Sequence, residues 1–145
     1  SDFTIEGFVL SNIGNGDAGA LVSQLSSGSS FYSLRINNNG DKGIEFSSTD
    51  ISGPAENSDR TWSGFKHVAL TRDGNTFRIF FDGTQTVTST DSGSISNISA
   101  PLQIGRQGGS FTAQFDGNMT SLRITKGVAR YTSNFTPPSE PFPVG

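Results

Sequence analysis

The chain has 145 residues, a formal net charge of −3, no cysteine, one histidine and twelve phenylalanines. That length fits one domain, and the missing cysteines exclude disulfides, thiol catalysis and cysteine-based zinc sites. Ten scattered basic residues against thirteen acidic ones exclude a nucleic-acid surface, and no run of about 20 apolar residues exists to insert into a membrane.

The opening run 3–10 alternates, with Phe3, Ile5 and Val9 on one side and Thr4, Glu6 and Phe8 on the other. This is the period-2 signal of a strand. Residues 12–17 are turn formers, and 20–25 read as a second strand. In 30–37, Tyr32, Leu34 and Ile36 share one face, while Phe31, Ser33, Arg35 and Asn37 share the other. A turn over 37–41 leads into a short partner, 43–48, with Ile44 and Phe46 inward. Residues 49–61 form a polar loop.

The strongest signal follows. Strand 65–72 turns at Asp73-Gly74-Asn75 and returns through 76–82, with Val68, Leu70, Phe77, Ile79 and Phe81 on the inner face. A Thr-rich run, 84–90, reads as an edge strand. Leu102 and Ile104 mark a short strand, Gly108-Gly109 a turn, and 115–126 the last long strand, with Leu122 and Ile124 inward. Residues 127–130 are expected to make one helical turn, and the prolines from 137 to 143 to extend the tail. About nine or ten short strands without helices between them imply an all-β, two-sheet antiparallel sandwich. No linker or internal repeat divides residues 1–145.

Three segments carry a family resemblance. They are Phe3-Thr4-Ile5-Glu6-Gly7-Phe8-Val9, the hairpin from His67 to Gly83, and Leu102-Gln103-Ile104-Gly105-Arg106 followed by Phe115-Asp116-Gly117-Asn118-Met119 and Gly127-Val128-Ala129-Arg130-Tyr131. Together they resemble the concanavalin A-like lectin/glucanase superfamily in its laminin G-like branch. The closing stretch is most similar to copies in phage tail and virion proteins and in bacterial surface proteins. The resemblance implies a jelly roll. It also implies a strand ahead of Phe3 that this sequence lacks, hence an open sheet edge and strand donation or oligomerisation.

Catalytic members of that superfamily carry Glu-x-Asp-x-x-Glu, because glycoside cleavage needs two carboxylates flanking the bond. The four glutamates here, Glu6, Glu45, Glu56 and Glu140, have no acidic neighbour at i+2 or i+4. No Gly-x-Ser-x-Gly elbow accompanies the lone His67, so no enzyme is expected. No cofactor is required. Calcium is the one ion to consider, with Asp17 and Asp116 as weak candidates among the loop carboxylates Asp17, Asp41, Asp50, Asp59, Asp91 and Asp116.

By alternation, the sheet face turned from the core should carry Glu6, Phe8, Phe31, Arg35, Asn37, Glu45, His67 and Arg78, with Trp62 a loop-borne stacking candidate. Aromatic rings beside amides, carboxylates and guanidinium are what saccharides need, since their C–H faces lie on rings and their hydroxyls want planar partners. The expected function is a non-catalytic, glycan-binding module of a larger virion or cell-surface protein. The alternative is a structural virion or fibre domain making protein–protein contacts, with a glycosidase kept for contrast. Partners are a glycan or a neighbouring surface protein, without nucleic acid or membrane insertion. The expected location is the virion or the cell exterior. The N-terminus shows no signal-peptide pattern, so any export signal would lie outside this chain.

Overall fold

The computed structural model describes residues 1–14, 17–26, 30–37, 43–58, 60–107, 113–139 and 142. The turns expected at 38–41 and at Gly108-Gly109 fall outside these residues, as do Asp41, Asp59, Glu140 and most of the end of the proline-rich tail.

Nine strands follow in chain order: β1 (Phe3–Ser11), β2 (Ala18–Leu25), β3 (Phe31–Asn37), β4 (Ile44–Ser48), β5 (Lys66–Asp73), β6 (Thr76–Phe81), β7 (Thr84–Thr90), β8 (Leu102–Ile104) and β9 (Gly117–Lys126). They form a five-stranded sheet, β7-β6-β5-β1-β9, and a four-stranded sheet, β4-β3-β2-β8. Every pairing is antiparallel. Among the described residues there is no helix long and apolar enough to cross a membrane.

The core lies between the sheets and follows from the alternation. Ile5 opposes Leu70, which opposes Ile79, and all three point inward. From the other sheet, Leu34, Ile36, Ile44 and Phe46 meet them, with Phe46 stacked on Phe77 at 6.2 Å. Phe77, Leu70 and Ile79 are fully buried, and each contributes about 1.5–3 kcal/mol relative to exposure.

Four features differ from the expectations. The segment around 54–56, expected as loop, pairs with the edge of β4: Phe46 N–H donates to Pro54 O and Glu56 N–H to Ile44 O. Residues 127–130 form no helical turn, because Gly127 sits at φ 85°, outside the right-handed helical region, and the chain runs on extended. Ile124 faces inward opposite Ile5 but stays half-exposed, since β9 is an edge strand with no described strand opposite it. Finally, β1 is paired on both sides, so the open edges are those of β7, β9 and β8.

The chain after β9 folds back across the outer face of the five-stranded sheet. Thr4 Oγ1 donates to Val128 O, Thr71 Oγ1 to Tyr131 O, and Phe135 N–H to Gly83 O. Gly83, at φ 78°, has no side chain in the way of that last contact.

Candidate functional site

The eight face residues do not share one surface. Alternation places each of them outward, but on two different sheets. Glu6, Phe8, His67 and Arg78 lie on the five-stranded sheet, while Phe31, Arg35, Asn37 and Glu45 lie on the four-stranded one. The two groups are on opposite sides of the sandwich.

The first group is closed over. Glu6 and His67 are 1% and 0% exposed. Glu6 accepts from Arg123 Nε and Nη2 at 2.9 and 2.7 Å, from Tyr131 OH at 2.8 Å, and from His67 Nε2 at 3.1 Å. An ionised carboxylate can only accept, so His67 donates to it from Nε2. Burial works to raise the Glu6 pKa, but the bonds from His67, Tyr131 and Arg123 outweigh it and hold the carboxyl below its ordinary range. The tail completes the lid. Tyr131 stacks on Phe135 at 3.6 Å, Phe135 meets Phe80 and His67, and Phe142 lies between Phe8 and the Arg123 guanidinium. Arg78 faces Asp73 at 3.7 Å. Among the described residues, this side is packed structure beneath the C-terminal segment.

The four-stranded sheet presents an ordered polar face. One transverse row runs Gln103, Ser23, Ser33, Ser47 across β8, β2, β3 and β4. The next runs Ala20, Arg35, Glu45, and beyond it Ala18 opposes Asn37. Phe31 and Leu25 form a half-buried apolar row at the other end. Arg35 Nε donates to Glu45 Oε1, which Asn37 Nδ2 also reaches at 3.3 Å. The terminal nitrogens of Arg35 bond no described residue and its side chain is 25% exposed, so the guanidinium is held at its root with its fork free. Ala20, opposite Arg35, adds no bulk. Ser33 Oγ and Gln103 Oε1 are buried without a partner on this side. Ser23 Oγ ties the face to the chain above it by donating to Arg106 O.

Beside the Ala18–Asn37 end opens a polar recess of about 360 Å³, lined by Ile13, Gly14, Asp17, Ala18, Gln114 and Asp116. It brings together Asp17 and Asp116, 99 positions apart in sequence. Gly19 makes the approach possible, because a Cβ there would lie 2.8 Å from Phe115 Cα and 3.0 Å from Gln114 O. Two carboxylates fall short of the six to eight oxygens calcium takes unless carbonyls and water supply the rest. Among the described residues, no three acidic or histidine side chains cluster around a metal position.

The other candidates have structural roles. Trp62 packs edge-on against Phe81 at 5.2 Å and anchors the core rim, so it is no free stacking platform. Asp91 accepts from Ser52 N–H and Gly93 N–H, bonds that hold its carboxyl below the usual range, and Asp50 accepts from Ser96 N–H. The described glutamates are each engaged by guanidinium: Glu6 by Arg123, Glu45 by Arg35, and Glu56 by Arg60 in a bidentate pair at 2.9 Å.

Arg123, Tyr131, Gln107 and the Glu56–Arg60 pair were not singled out in the sequence. Only Tyr131 carried a signal, because a tail with Tyr131, Phe135 and Phe142 among its prolines is too aromatic for a spacer.

A laminin G family model, described as the concanavalin A-like lectin/glucanases superfamily, matches residues 1–130. Among solved structures, the fold is similar to a Bacteroides ovatus protein assigned as carbohydrate-binding, with TM-score 0.72 and 23% identity over 90% of this chain and 38% of that one. This chain therefore spans about two-fifths of that protein's length. It is similar to the CBM40 of the Ruminococcus gnavus IT-sialidase bound to α2,3 sialyllactose, with TM-score 0.66 and 18% identity over 86% and 74% of the two chains. It is also similar to domains LG4-5 of the mouse laminin α1 chain, with TM-score 0.63 and 16% identity over 85% and 34%. Among curated proteins, no significant match exists.

Proposed function

The chain belongs to the concanavalin A-like lectin/glucanase superfamily, and from that premise we propose that it is a non-catalytic glycan-binding module. The observation that carries the reading is the outer face of the four-stranded sheet. There a guanidinium with a free fork stands one row from Ala18, and Ala18, Asp17 and Gln114 line a recess of about 360 Å³. That volume lies in the range of small-ligand sites, and those groups match saccharide hydroxyls. Relatives of the same fold whose names describe carbohydrate binding support it. The engagement of Glu6, Glu45 and Glu56 by arginines supports the absence of catalysis. A cell-surface or virion setting is part of the proposal.

Calorimetry against a panel of saccharides tests it. The expected result is millimolar or tighter binding that weakens at least tenfold in Arg35→Lys, which keeps the charge and loses the fork. A folded domain that binds no saccharide up to millimolar concentration refutes it.

One observation favours a second reading, a structural module held against neighbouring proteins. The sandwich is open between β8 and β9, where Leu102, Ile104 and Ile124 are half-exposed. Near Ile124, a cavity of about 220 Å³ reaches Phe3, Tyr32 and Phe46. Self-association by sedimentation, lost in Ile104→Ser, would favour that reading.

A further inference from the structure

We infer that the cavity beside β9 is a second ligand site, which takes the chain of a fatty acid of about eight carbons and holds its carboxylate with Lys126. The inference does not rest on the glycan-binding reading, and it gives this cavity a small-molecule occupant in place of a protein neighbour. Its walls come from both sheets. β1 and β9 contribute Phe3, Ile5 and Ile124, β3 and β4 contribute Tyr32 and Phe46, and Ile95 closes it from the loop after β7. Ile5 opposes Ile124 across β1 and β9, and the Phe46 ring lies 6.2 Å from Phe3 and 6.3 Å from Tyr32, so three rings form one aromatic wall. Ile5 and Phe46 are 5% and 2% exposed and Ile124 is 46% exposed, so the space runs from the core out to the edge strand.

Size and charge name the ligand. Protein interiors leave few voids larger than a water. This one, at about 220 Å³, exceeds the cavity of about 150 Å³ that, lined by Leu, Ile and Phe, stays dry and admits benzene. At about 30 Å³ per water it equals about seven waters, and so about as many methylenes. Water against those walls finds few polar partners, so an alkyl chain that displaces it gains affinity. Two charged side chains stand at the cavity, Asp2 and Lys126. Asp2 is engaged: its Oδ1 accepts from Gly74 N–H at 2.9 Å, and its carbonyl from Gly127 N–H. Lys126 lies opposite Phe3 across β1 and β9, exposed, with no described acidic group within ion-pair distance. Burial raises the Tyr32 phenol above 10.0, so that ring adds no charge at neutral pH. Ile124 and Lys126 are two residues apart and share the inner face of β9. A chain entering past Ile124 leaves its head beside the free ammonium, which suits a carboxylate.

Calorimetry on the intact domain at pH 7 tests it, with hexanoate, octanoate, dodecanoate and 1-octanol as probes, each below its aggregation concentration. The expected result is one-to-one binding of octanoate at about millimolar affinity or tighter. Each buried methylene is worth about fourfold, so octanoate should bind about fifteenfold tighter than hexanoate, and the gain should stop beyond about eight carbons, where the cavity is full. An exposed ion pair adds about two- to fivefold, so Lys126→Gln should weaken octanoate by that factor and leave 1-octanol unchanged. Ile124→Trp fills the cavity from an edge strand and should abolish binding of both with the melting transition retained; Ile95→Trp blocks it from the loop if the first variant does not fold. No octanoate bound at about ten millimolar overturns the inference. So does a gain per methylene that continues unchanged to dodecanoate, since surface adsorption is then the cause, and so does octanoate binding that Lys126→Gln leaves intact. Self-association abolished by Ile124→Trp, with no octanoate bound, overturns it in favour of a second copy of this chain. Failure of the saccharide panel removes the glycan-binding reading alone and leaves this inference standing.

Discussion

Glu6→Gln is the most informative single change to the fold. In the native protein the Glu6 carboxylate is buried, and it holds Arg123 through two bonds, Tyr131 through one and His67 through one. The amide keeps the shape but loses the charge, and its NH₂ must face donors. Breaking a fully buried pair costs about 3–5 kcal/mol. Arg123 keeps 20% of its side chain exposed, and the amide oxygen retains one or two bonds, which brings the expected cost to about 2–4 kcal/mol. For a domain of this size, that lowers the melting temperature by about 5–12 °C. Urea unfolding at pH 7, followed by Trp62 fluorescence, measures it. The pH dependence gives the second reading. The folded-state pKa of Glu6 lies below its ordinary value of 4.5, so the carboxylate's contribution is complete above about pH 4.5 and is lost as pH falls through the folded value. The gap between the native protein and Glu6→Gln should therefore shrink below pH 4.5. A cost under about 1 kcal/mol, or a gap that ignores pH, would falsify the assignment of Glu6 as the hub of the lid.

The same hub has an alkaline edge. Burial, then the bond to Glu6, push the Tyr131 phenol from 10.0 up to about 12. Its neutral form is favoured in the fold, so this contribution is complete below pH 10 and disappears as pH rises toward 12. After solvent screening it amounts to about 1–2 kcal/mol, and Tyr131→Phe should flatten that part of the stability profile. Gly83→Ala should cost about 2–3 kcal/mol in thermal melting and expose the tail to protease, because the methyl would meet the Phe135 carbonyl at φ 78°. Gly74→Ala, at φ 59° with open space around it, is the control and should cost about 1 kcal/mol. In the Asp17–Asp116 recess, two carboxylates predict weak calcium affinity, with Kd on the order of 10⁻⁴–10⁻³ M. Ten millimolar calcium should then stabilise the domain by about 1.4–2.7 kcal/mol, an effect absent in Asp116→Asn.

Strand positions were legible because the apolar period is strict where both faces matter. Phe77, Ile79 and Phe81 alternate against Arg78 and Phe80, and the turn residues bracket them. What alternation cannot tell is which sheet a strand joins. Arg35 and His67 both point outward, yet β3 and β5 lie in opposite layers, so a face assembled from both could not exist. Phe80 hides a related lesson. It sits on the outer side of β6 and is still fully buried, because Tyr131 and Phe135 cover it. A large apolar residue out of phase with its strand predicts a third layer, and in this chain only the tail was available to supply it. The Asp17–Asp116 recess was only half legible. Each aspartate stands alone in its loop, and their meeting depends on the bare backbone of Gly19.

The third layer bears directly on the proposed binding surface. A sandwich has two outer faces, and here the C-terminal segment fills one with its own aromatic rings, its own phenol and the Glu6–Arg123 pair. The polar groups on that side are nearly all satisfied from within the chain, apart from His67 Nδ1 and Arg78 Nη1. On the other side, Arg35 is fixed at Nε and open at its fork, while Ser33 and Gln103 keep buried atoms without partners. Leaving buried polar atoms unmade costs about 1–3 kcal/mol each, a cost a fold sustains most readily where a ligand or water completes the bonds. The contrast between a face covered by the chain's own tail and one left open is the ground on which the four-stranded face is proposed as the binding surface, independently of any likeness to other proteins.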